Sequence, residues 1–128
     1  MPKGYSLNGT HYKQLPYGEA AFNDLFARYK GKAEKRLLSF ELTKEQFKQL
    51  TTQECRYCGR QPHRIHTVNK RVGEYVYNGI DRVDNDIGYV ESNSYPCCYD
   101  CNRMKHNMGE KEFLEHIERI HAWQQYTK

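Results

Sequence analysis

Residues 77–104, YNGIDRVDNDIGYVESNSYPCCYDCNRM, decide the reading of this chain together with residues 54–59, ECRYCG. Cys55 and Cys58 are separated by two residues, and so are Cys98 and Cys101. Two such pairs have the ligand number and spacing of a closed, four-thiolate tetrahedral zinc site. A strand-like run ends at Asp81-Arg82, and Asn102 follows the last cysteine directly. Zinc on Cys55, Cys58, Cys98 and Cys101 would therefore tie a strand end to a helix start, each presenting an oxygen ligand. The chain has 5 cysteines. Cys97 is the spare in this register, because only Cys98 leaves a two-residue gap to Cys101; pairing Cys97 with Cys101 leaves three residues, still an allowed spacing.

Working outward, composition sets the frame. At 128 residues the chain has the length of one domain. It is 38% hydrophobic, with a mean hydropathy of −1.00, so its apolar core is small. Zinc ligation contributes on the order of 10 kcal/mol in small domains, enough to rival such a core. The net charge of +4 suits a polyanionic partner without proving one. No apolar run is long enough to span a membrane and no signal-peptide core is visible, so a cytoplasmic, thiol-retaining location is expected.

Residues 1–19 carry Pro2, Gly4, Gly9, Pro16 and Gly18 without apolar periodicity and read as an N-terminal arm. Residues 20–128 then form a single domain, with a helical lead-in over 20–52, a zinc core over 53–108 and a C-terminal helix over 110–126. Within the lead-in, 20–38 reads as a helix whose Phe22, Leu25, Phe26 and Tyr29 share one face. Gly31 argues against an unbroken helix. Its remaining surface carries Arg28, Lys30, Lys32, Lys35 and Arg36, either a solvated face or a phosphate-contacting one. Thr43 and Gln46 have the spacing of a capping box opening a second helix, with Phe47 and Leu50 inward.

Residues 60–71 hold Arg60, Arg64, Lys70 and Arg71 with His63 and His66 and no acidic residue. A loop here would make a basic rim beside the zinc, able to neutralise phosphates; the plain alternative is an exposed basic loop. Residues 73–83 read as a strand interrupted at Asn78-Gly79, 84–88 as a turn, and 90–95 as a short second strand. A helix follows from Tyr99 with Met104 toward the core. The last helix groups Phe113, Leu114, Ile117, Ile120 and His121 on one face.

Strand, loop, strand and helix, with Asp81-Arg82 on the first strand and Cys98-x2-Cys101-Asn102-x2-Lys105 on the helix, resemble the HNH nuclease family, especially its small phage-type members. The resemblance covers most of the chain. It implies an α+β fold: a ββα-metal (His-Me finger) core with structural zinc, flanked by N-terminal helices and a C-terminal helix. It further implies a divalent-metal-dependent endonuclease hydrolysing phosphodiester bonds in nucleic acid, double-stranded DNA above all, with no membrane partner and an undetermined oligomeric state. Carried over residue by residue, Asp81 and Asn102 match the Mg²⁺ or Mn²⁺ ligands. Asn93 matches the middle asparagine that braces the loop, and Lys105 the basic residue nearly one turn along the helix.

Arg82 stands where the family's catalytic histidine stands. An arginine cannot accept a proton near neutral pH, though it can grip a phosphate bidentately. Three readings follow: His66, His63 or His106 takes the base role; metal-bound hydroxide suffices; or cleavage is lost and a zinc-stabilised nucleic-acid-binding module remains. The expected nucleic-acid contacts are Arg60, Arg64, Lys70, Arg71, Arg82 and Lys105. Taken singly, Asp81 could belong to an acidic turn and Asn102 could be a helix cap; joined to the zinc pairs in this order, they point to function.

Overall fold

The computed structural model describes residues 15–69 and 71–128. Residues 1–14 of the expected arm, and Lys70 of the expected basic rim, lie outside the described residues. What is described is a mixed α+β arrangement of helices and two small antiparallel sheets.

Helix α1 spans Glu19–Lys35 and α2 spans Lys44–Thr51. Gly31 does not interrupt α1. The helix stops short of the expected Leu38 because Arg36 N–H folds back onto the carbonyls of Lys32 and Ala33 and Leu37 turns to a φ of 57°. The capping box forms as expected: Gln46 N–H donates to Thr43 Oγ1 at 3.1 Å, and Thr43 N–H to Gln46 Oε1 at 2.9 Å. Phe47 is fully buried, edge-on to Phe22, Phe26 and Tyr29 with ring centroids 5.2–5.9 Å away. With Leu25, Leu42, Tyr77 and Ile80 these rings form the core.

The expected loop over 60–71 is in part a strand. Strand β1 (Arg64–Thr67) pairs antiparallel with β2 (Glu74–Tyr77), opposing His66 to Tyr75 and Ile65 to Val76. Arg64 and His66 alternate onto one face with Tyr75 and Tyr77, while Ile65 and Val76 stay exposed on the other. A strand with polar residues on its packed side lacks the alternation that announces one.

The expected break at Asn78 is real. Asn78 is fully buried, and its side-chain amide donates to the carbonyls of Gln53 and Arg60, pinning both ends of the first cysteine turn. Strand β3 (Gly79–Arg82) pairs antiparallel with β4 (Ser94–Cys97), opposing Gly79 to Cys97 and Asp81 to Tyr95. The second strand therefore starts later than the expected Val90, because residues 91–93 form a 3-10 turn first. Gly88 in the connecting loop lies so close to Ser39 that a Cβ would collide with its backbone.

Helix α3 (Tyr99–Lys105) follows β4 directly, and α4 (Glu110–Tyr126) ends the chain. Two packing expectations fail here. Met104 is 54% exposed rather than in the core. On α4 only Phe113 is buried, edge-on to Tyr57; Leu114, Ile120, His121 and Trp123 are exposed, because the described residues offer that face no opposing surface beyond its first turn. No helix among the described residues is long and apolar enough to cross a membrane.

Candidate metal centre and cationic cleft

The four cysteines meet as their spacing requires. The sulfurs of Cys55, Cys58, Cys98 and Cys101 all lie within 4.8 Å of one another, with Cys58 and Cys98 at 3.6 Å. A tetrahedral zinc with Zn–S bonds of ~2.3 Å requires sulfurs ~3.8 Å apart, so the donor set fits zinc. Gly59 closes the first turn at a φ of 76°, where its N–H reaches the Cys55 carbonyl at 2.9 Å. Cys98 caps α3, its sulfur accepting from Cys101 N–H at 3.4 Å.

Burial pushes the Cys55 thiol up, but backbone amides of Cys98, Cys58 and Tyr57 aimed at the sulfur outweigh it and hold the group at about 6. Burial raises Cys98 and Cys101, which makes them ligands that a metal must help deprotonate. Cys97 is also pushed up by burial, and its thiol donates to the Cys98 carbonyl, consistent with a spare that ligates nothing.

Asp81 lies on β3 behind this centre, only 4% exposed. Its Oδ1 accepts from Lys105 Nζ at 3.2 Å and its Oδ2 from Tyr57 O–H at 2.8 Å. Lys105, expected at the nucleic-acid surface, is completely buried by this pair. Burial first, and then donation to Asp81, push the Tyr57 hydroxyl well above its ordinary range, so it serves as a donor. Arg82 is also internal: Nη1 donates to the carbonyls of Asn85 at 2.8 Å and Ile87 at 3.0 Å, and the guanidinium stacks over Tyr89. It braces the 84–88 loop from one side.

Asn93 braces the same loop from the other. Its Oδ1 accepts from Asp84 N–H at 2.9 Å, and its Nδ2 faces the carbonyls of Asp84, Ile87 and Gly88 at 3.0–3.2 Å.

On the other side of β3 the chain forms a cleft of about 560 Å³. Arg28, Lys32 and Lys35 line it from α1 and Arg36 from the cap that ends that helix, Arg64 and His66 from β1, and Asn102 from α3, with Tyr29, Tyr77 and Tyr89 among the other lining residues. Asp81 is not among its lining residues. Asn102 lies four residues beyond the cap of α3, so it is not a capping residue. His66 Nε2 sits 2.7 Å from Asp24 Oδ2. With the proton on Nε2 donated to the carboxylate, Nδ1 keeps its lone pair. Hydrogen bonds from Arg28, then from His66, hold the Asp24 carboxyl below the usual carboxylate range.

The other expected rim residues are dispersed. Arg60 pairs with Asp100 at 2.9 Å and contacts exposed His63. Arg71 is exposed, and His106 ends α3 with a φ of 49°. Sequence reading missed Asp24 and Tyr57. Tyr57 lies inside the first cysteine turn, but nothing in the pattern around Asp24 marks it as a partner of a residue 42 positions away.

No family model matches the chain. An 89-residue stretch, 70% of the chain, is 38% identical to the uncharacterized protein R423 of Acanthamoeba polyphaga mimivirus, and the chain spans 14% of that protein's length. Among solved structures the chain is similar to the rare-cutting HNH restriction endonuclease PacI, with a TM-score of 0.57 and 22% identity, covering 97% of this chain and 89% of that one. At that identity the likeness is one of fold alone, an α+β fold, and the four-cysteine cluster is this chain's own observation.

Proposed function

We propose that the chain is a zinc-stapled HNH-type endonuclease that hydrolyses phosphodiester bonds in DNA, with β3, β4 and α3 as its ββα unit. The observation that carries this reading is the Asp24–His66 pair at 2.7 Å, which opens into the same cationic cleft that Asn102 reaches from α3. Asp24 fixes the His66 tautomer, leaving Nδ1 to take a proton from water, the arrangement of a base oriented by a third group. The hydroxide attacks phosphorus, the P–O bond to the leaving strand breaks, and that oxygen takes a proton from solvent. Arg64 and the α1 cations neutralise the phosphate, and the Asn102 amide orients it.

A magnesium or manganese ion shared by Asp81 and Asn102 does not fit the side chains as they stand. Such a cation keeps open positions for water and phosphate oxygens, whereas Asp81 is 4% exposed, does not line the cleft that Asn102 lines, and already has its charge balanced by Lys105. Cleavage is therefore assigned to the cleft's own groups. The second reading, binding without cleavage, is favoured by the same Lys105–Asp81 pair and by Arg82 being committed to loop carbonyls.

Nicking of supercoiled plasmid by zinc-loaded protein, with Mg²⁺, with Mn²⁺ and with neither, separates the two readings. Nicking that falls in Asn102→Ala supports the endonuclease; salt-dependent binding with no nicking under any condition supports the module.

A further inference from the structure

We infer that the nucleic-acid backbone lies along α1, gripped by the stripe Arg28, Lys32, Lys35 and Arg36 on one wall of the cleft and by Arg64 on the other, rather than along the zinc-side rim. This deepens the endonuclease reading and rests on it for the identity of the ligand. Arg28, Lys32 and Lys35 follow helical spacing, with steps of four and three residues, so they share a face, and Arg36, at the cap that ends the helix, continues the stripe. At 1.5 Å per residue it is about 12 Å long, which matches roughly three to four phosphates of one DNA strand at 3.4 Å of axial rise each.

The local surroundings make this more than a solvated helix face. The stripe is concave, because β1 and α3 close the other side of the cleft. Among the described residues Lys32, Lys35, Arg36 and Arg64 take part in no salt bridge, whereas Arg28, at the far end of the stripe, is paired with Asp24 at 2.7 Å. By contrast, Arg60 on the zinc side is already matched by Asp100. Arg64 is held in place by aromatic rings, its guanidinium 4.4 Å from the Tyr99 centroid and 5.7 Å from that of Tyr77. Arg103 covers Tyr99 at 5.3 Å, extending the positive edge past the cleft mouth.

The test is the salt dependence of binding to a fluorescein-labelled 20-base-pair duplex of mixed sequence, with no divalent cation added, by the full zinc-loaded chain. The variant is Lys32→Ala/Lys35→Ala/Arg36→Ala, whose side chains are exposed and outside the core. The control, Lys48→Ala/Lys111→Ala/Arg119→Ala, removes the same charge from α2 and α4. Loss of three phosphate contacts lowers the slope of log K against log salt by about 2.7 and weakens binding by about 500-fold at 0.1 M salt. The control is expected to change the slope by less than about one.

Equal losses in both variants, or an unchanged slope in the first, would overturn the α1 placement even if the wild type nicks plasmid. A wild type that binds the duplex without salt dependence would overturn the nucleic-acid reading along with it.

Discussion

Lys105 Nζ lies 3.2 Å from Asp81 Oδ1, with the lysine side chain wholly enclosed and the aspartate nearly so. Removing one partner of such a pair strands a charge in the interior, whereas removing both does not. Lys105→Met is therefore expected to cost about 3–5 kcal/mol, and Lys105→Met/Asp81→Asn to recover most of that loss. Urea unfolding of the two variants checks this. Equal destabilisation by both would show that the lysine acts through its packing and not its charge.

The four-sulfur centre is expected to hold one zinc per chain and to supply stability on the order of 10 kcal/mol. Chelation or Cys98→Ser should abolish the cooperative melt, while Cys97→Ser should keep one zinc. Elemental analysis beside thermal melts reads both. An unchanged melt after complete zinc removal would contradict the structural role.

Asn93 and Arg82 hold one loop from two sides, and Asn93 does so with both a donor and an acceptor. Asn93→Asp keeps the size but turns a donor toward three carbonyls into a carboxylate. It should destabilise by about 1–3 kcal/mol or more, at least as much as Asn93→Ala. A melt of Asn93→Asp matching the wild type would remove Asn93 from this role.

Asp24 links α1 to β1, and its carboxyl is held below the ordinary range by Arg28 and then His66. A lowered folded-state value means that its contribution is present above the unfolded carboxylate value and lost as pH falls through the folded one. Asp24→Asn should therefore melt below the wild type at neutral pH, and the gap should close in acid, below about pH 4. The gap is small, because the Arg28 partner is largely exposed and screened. A gap that stays constant down to pH 2 would contradict it.

How much of this was legible in the chain depends on whether a residue's role is local. The cysteine pairs, the Thr43–Gln46 box and the spare Cys97 are short-range patterns, and each stands where its spacing puts it. The β1 strand was hidden because its packed side carries Arg64 and His66, and a polar inner face imitates a loop. Lys105 was misplaced for a related reason: a lysine belongs on the surface unless a buried acid meets it, and Asp81 is 24 positions away. Asp24 could be matched to His66 only once α1 and β1 were packed together. The apolar side of α4 has a clear helical period, but periodicity cannot tell whether anything covers it.

The central claim, that the Asp24–His66 pair serves cleavage in a cleft built for phosphates, is met most directly by one assay. Supercoiled plasmid is incubated with zinc-loaded wild type and with His66→Ala, each with and without added imidazole. Nicking by the wild type, a loss of about 10²–10⁴-fold in His66→Ala and partial recovery with imidazole are the predicted results. Nicking at the wild-type rate by His66→Ala, or none by the wild type under any cation, would contradict the account.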